Sequence, residues 1–84
     1  MTELSSRKAA FTVSAWSERK FLAEQERLAQ LSASFGGVLV ESEETADEVF
    51  AEFRFSSRKG AAGFSSEAGR IVPGIRTMVE AVAL

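Results

Sequence analysis

The spacing of apolar residues changes several times along the chain, and each change marks an element. From Lys8 to Trp16 it alternates. Ala9, Phe11, Val13 and Ala15 point one way, and Lys8, Ala10, Thr12, Ser14 and Trp16 the other. A period of two with β-branched and aromatic members predicts a half-buried strand. From Glu18 to Phe35 the period lengthens: Phe21, Leu28, Leu31 and Phe35 fall on one helical stripe, with Leu22 and Ala29 at its edge. Gln25 interrupts the stripe. Ser17 suits the start of this helix, because its hydroxyl can accept from a free backbone N–H, and Gly36-Gly37 suits its end. Gly37–Ser42 then reads as a short strand, with Val38 and Val40 assigned to the core side and Leu39 and Glu41 to the other. After the polar link Glu43–Asp47, Glu48–Ser56 alternates again. Val49, Ala51, Phe53 and Phe55 point inward; Glu48, Phe50, Glu52 and Arg54 point outward. Two strands joined by so short a link should pair antiparallel.

The last third fits two templates at each step. Ser56 or Ser57 can cap a helix, and Ala61, Phe64, Ala68, Ile71 and Val72 share a helical face. Gly60, Gly63 and Gly69 oppose it, each costing about 0.5–1 kcal/mol relative to Ala. The helix therefore spans either the whole segment or only Phe64–Ile71, with Arg58–Gly63 as a loop. Pro73-Gly74 ends it. Strand alternation over Ile75–Leu84 puts Thr77, Val79, Ala81 and Ala83 on one side and Met78, Glu80, Val82 and Leu84 on the other. Helical spacing would instead group Ile75, Met78, Val79 and Val82. The β-branched content and the Pro-Gly break favour a strand.

The order β-α-β-β-α-β predicts an α+β, ferredoxin-like sandwich: a four-stranded antiparallel sheet with two helices on one face. Right-handed crossovers place the first and third strands in the middle. The alternative is a three-stranded sheet with a C-terminal helix. Residues 1–7 are polar and lack a period, so they read as a flexible N-terminal arm before a single domain over 8–84.

Composition narrows the chemistry. The 84 residues carry ten Lys plus Arg against twelve Asp plus Glu, a net charge of −2, and no His, Cys or Tyr. That excludes zinc fingers, haem and iron–sulfur ligation, disulfides, and any Ser-His-Asp or Cys-His nucleophile. No cofactor and no metal site are expected. The negative balance gives no global field for nucleic acid. No apolar run approaches the roughly 18–20 residues of a membrane span, and the N-terminus lacks the pattern of a signal peptide. A cytoplasmic location is expected. Abundant Ala, Val and Arg without Asn fit a GC-rich coding sequence, hence a bacterial or phage origin.

The sheet face opposite the helices is the most informative surface. It should carry Trp16, Leu39, Phe50, Glu52, Arg54, Met78, Glu80 and Val82, too apolar for a solvent face and too charged for a dry interior. Such a mixed patch reads as an interface or binding surface. The run Val49-Phe50-Ala51-Glu52-Phe53-Arg54-Phe55 resembles the aromatic central strand of RNA-recognition domains, which stack bases on exposed rings. Yet no Lys/Arg-Gly pair precedes it, and Glu52 occupies the exposed centre. Core aromatics plus one exposed Phe is the preferred reading. Arg58, Lys59, Gly60 and Gly63 form a candidate anion-binding loop, whose backbone N–H groups and two cations would face a phosphate. A plain solvated connection accounts for them more simply. The acids between Glu41 and Glu52 do not match a calcium loop. Glu52 and Glu80 are the one carboxylate pair open to catalytic use. Without His, Cys or Tyr, a non-enzymatic role is expected. The chain thus reads as a small interaction or small-ligand-binding module that homodimerises through its open sheet face, with an unidentified protein or small molecule as further partner. The alternative is a nucleic-acid-binding domain using Phe50, Arg54, Arg58 and Lys59.

Overall fold

A computed structural model describes residues 9–83. The expected arm over 1–7, and the strand-end residues Lys8 and Leu84, lie outside the described residues. The elements are β1 (Ala9–Glu18), a 3-10 segment (Arg19–Glu24), α1 (Gln25–Ser34), β2 (Gly37–Glu44), β3 (Glu48–Phe55), α2 (Arg58–Ile71) and β4 (Arg76–Ala83). The strands form one antiparallel sheet in the order β2-β3-β1-β4, so β1 and β3 are central. The C-terminal segment is a strand, paired with β1 from Ala9↔Ala83 to Trp16↔Arg76. A three-stranded sheet with a terminal helix is thereby set aside.

Both helices pack on the face that carries Val13, Ala15, Ala51, Phe53 and Phe55. Leu28 of α1 and Ala61, Phe64 and Ala68 of α2 complete that core. Phe64 sits at its centre, its ring 4.7 Å from that of Phe53 and 5.4 Å from that of Phe55. Burying each of these rings stabilises the fold by about 1.5–3 kcal/mol.

Three local departures from the periodic pattern shape the rest. The first is the entry to α1. Strand β1 continues through Ser17, which is buried opposite Val49 and caps nothing. The chain then makes a 3-10 segment that kinks at Phe21 (φ −97°, ψ 21°), and Glu18 before it offers no side-chain cap. Gln25 resolves the kink. Its side-chain amide donates to the Phe21 carbonyl at 3.1 Å and to Ser17 Oγ at 3.2 Å. The polar residue that breaks the apolar stripe therefore holds the chain where strand turns into helix.

The second departure corrects the expected loop over Arg58–Gly63. That segment is the first part of α2, capped by Ser57, whose Oγ accepts the Gly60 N–H at 3.0 Å. Gly60 and Gly63 sit against Phe35 at the end of α1. A Cβ on Gly60 would stand 2.3 Å from the Phe35 carbonyl oxygen, and one on Gly63 would stand 2.5 Å from the Phe35 ring. These glycines let two backbones approach; they do not break the helix.

The third corrects β2. Gly37 pairs with Phe55 and lies beneath its ring, where a Cβ would come within 2.3 Å of ring carbon. Starting from that register, Val38 pairs with Arg54 on the open face and Leu39 with Phe53 on the helix face, the reverse of the simple alternation. An irregularity at Val40 between Leu39 and Glu41 then returns Glu41 to the open face, opposite Glu52.

Candidate functional site

Cross-strand register maps the open face in rows, because partners on neighbouring strands share a side. One row runs Glu43, Phe50, Trp16, Arg76 from β2 to β4. The next runs Glu41, Glu52, Ser14, Met78, and the next Val38, Arg54, Thr12, Glu80. Val82 follows beside Ala10. Seven of the eight residues expected on this surface are there. Leu39 is not; it belongs to the opposite face, and Val38 takes its place.

The aromatic row is preassembled. The Trp16 and Phe50 rings lie 5.5 Å apart in a tilted pair, and the Arg76 guanidinium stands 5.7 Å from the Trp16 ring centroid. Glu48 reaches across β1 to pair with Arg76, fixing that cation over the ring. Around this row the apolar side chains are open to water: Val38 is 57%, Met78 48% and Val82 36% exposed. Arg54 and Glu80 are also exposed, flanking the buried Thr12. Among the described residues no ion pair engages Arg54, Glu52 or Glu80. Glu52 and Glu80 are not neighbours: β1 lies between their strands, a separation of roughly 10 Å before the stagger of one row is added. They do not form a carboxylate pair that could share a proton.

The residues expected to hold an anion have other structural duties. Arg58 places its guanidinium 5.0 Å from the ring centroid of Phe11, which packs against the core. Gly60 and Gly63 face Phe35, and the Gly60 N–H is taken by Ser57. Lys59 is exposed. Among the described residues no group of three acidic side chains could hold a metal ion.

On the helix side lies a cleft that periodicity does not reveal. It measures about 520 Å³ and opens between the start of α1 and the β2–β3 half of the sheet. Val49, Ala51 and Phe53 form its floor, while Leu22 and Leu39 flank it. Those two leucines are 41% and 45% exposed. Gln25, Glu26, Ser42 and Glu44 supply its polar lining, with Glu44 held by Arg19 at 3.0 Å. The cleft exists because Leu39 turns inward ahead of the β2 irregularity and because the kink at Phe21 sets Leu22 outside the core. Neither event has a signature in hydrophobic spacing.

Among the described residues no helix is long and apolar enough to cross a membrane. The chain matches no known family profile and no curated protein.

Proposed function

We propose that the chain is a ferredoxin-like interaction module of the cytoplasm that works as a homodimer, two copies meeting through their open sheet faces. The strand order, with β1 and β3 central and a helix following each, supports the fold assignment. The observation that carries the dimer is the row Val38, Arg54, Thr12, Glu80. Arg54 and Glu80 stand on either side of Thr12, which is small and buried. A twofold axis running along β1 between two facing sheets sets Arg54 of each copy against Glu80 of the other. The same axis sets Phe50 against Arg76 and Trp16 against Trp16. An isologous contact of this kind removes Met78 and Val82 from water at roughly 25 cal/mol per Å² and pairs both charges.

The nucleic-acid alternative uses the same Phe50 and Arg54. Against it, Glu41, Glu43 and Glu52 share rows with Phe50 or adjoin it, placing three carboxylates where a phosphate backbone would run. Sedimentation at tens of micromolar tests the dimer. The parent protein should sediment as a dimer, and Phe50→Glu should dissociate it. Because Phe50 also touches Trp16, Met78→Glu at the exposed β4 side provides a second variant with less effect on the fold. A monomeric parent, or two variants that stay dimeric, rejects the open-face interface. Tight, salt-sensitive binding of RNA or DNA would favour the alternative.

A further inference from the structure

We infer that the cleft between α1 and the β2–β3 half of the sheet is a binding site for a small organic cation with an apolar body, such as an aryl- or alkylammonium. Its volume of about 520 Å³ falls within the range of small-ligand pockets. Its floor is apolar, and Leu22 and Leu39 leave large hydrocarbon surfaces in water at its sides. An apolar group seated there would cover both leucines.

The polar lining selects the head group. On the cleft side of the sheet it presents two carboxylates, Glu26 and Glu44, and neither Lys nor Arg, whereas the Glu43 side chain belongs to the open-face row of Phe50. Arg19 offsets Glu44, leaving Glu26 in excess. Gln25 adds to the same preference. The Phe21 carbonyl can only accept, so the Gln25 amide nitrogen must face it, and its second hydrogen goes to Ser17. What Gln25 has left is Oε1, an acceptor. Among the described residues no donor bonds to that oxygen, and no side-chain oxygen is both buried and unpartnered. Carboxylates and an amide oxygen together call for a ligand that donates hydrogen bonds and carries positive charge; an anion would meet acceptors and like charge.

The site is on the far side of the sheet from the proposed dimer face, so the two readings stand or fall separately. The test is amide chemical-shift mapping on the full chain with 2-phenylethylamine, 2-phenylethanol and 3-phenylpropanoate at millimolar concentrations. The amine should produce saturable shifts at Leu22, Ala29, Leu39 and Ser42, about two- to fivefold tighter than the alcohol, as expected for exposed charge pairs. The carboxylate should produce none there. The variant Glu26→Gln should abolish the preference for amine over alcohol. Leu22→Ser/Leu39→Ser, at two exposed positions, should weaken both ligands. Phe50→Glu should change neither. The inference is overturned if the amine gives no saturable shifts at those four amides, if the carboxylate binds as well as the amine, or if the glutamine variant keeps the preference.

Discussion

Three glycines in α2 invite the same substitution and should respond with opposite signs. Gly69 is exposed, and a methyl added there would meet nothing within 4 Å, so Gly69→Ala should express helix propensity alone. That is worth about 0.5–1 kcal/mol of stabilisation. At Gly60 the new Cβ would lie 2.3 Å from the Phe35 carbonyl oxygen. That is more than about 1 Å inside a comfortable non-bonded contact. The obstacle is backbone, so α1 and α2 must separate or tilt. Overpacking of this kind costs about 1–3 kcal/mol, against a propensity gain of at most about 1, leaving Gly60→Ala destabilised by about 1 kcal/mol. Gly63 falls between, because the atom in the way belongs to the Phe35 ring, which can rotate. Thermal unfolding followed by far-UV circular dichroism resolves the ranking. The Gly69 and Gly60 variants should differ by roughly 6–16 °C in Tm, at about 4–8 °C per kcal/mol for a domain of this size. A Gly60→Ala protein as stable as Gly69→Ala would mean that the two helices do not approach through these glycines.

Other perturbations test separate parts of the fold. Phe64→Ala removes the ring that touches both Phe53 and Phe55 and should cost about 3–5 kcal/mol, a large share of the roughly 4–12 available to a domain this short. Urea unfolding should show its midpoint collapse, and a loss under about 1 kcal/mol would contradict the central place given to this ring. Gln25→Leu completes the apolar stripe of α1, yet it strips the Phe21 carbonyl and Ser17 of a donor. It should lower stability by about 1 kcal/mol; a gain in the urea midpoint would show that the kink needs no polar support.

Where one side of an element is buried and the other is wet, the period alone identifies it. Strands β1, β3 and β4 have the faces that alternation predicts, down to Thr77 and Val79 on the helix side and Met78 and Glu80 opposite. Edge strand β2 does not. Its residues from Val38 to Glu44 are all exposed, so burial imposes no alternation, and its register comes from Gly37 fitting beneath Phe55. The start of α1 departs from expectation for a related reason. Ser17 has the chemistry of a cap, but pairing with Val49 claims it for the sheet. Propensity counts Gly60 and Gly63 of α2 as helix breakers, whereas their role is set by Phe35, far away in sequence. On β1, β3 and β4 the open-face rows follow from alternation once the strand order is known. The cleft does not, because its floor, flanks and rim come from four elements whose meeting depends on a kink and an irregular strand.

The central position of β1 also orders events during synthesis. Of the four strands, the first to leave the ribosome pairs on one side with β3 and on the other with β4, so Val13 must wait for Phe53 and then for Val79. Until β4 is made, one full edge of the oldest strand has no partner. The β2–β3 pairing, by contrast, joins neighbours across a short link and can form as soon as both strands are free. Long-range pairing of this kind slows folding relative to a helical domain of equal length. The β4 edge of the sheet is thus the last part a growing chain can complete.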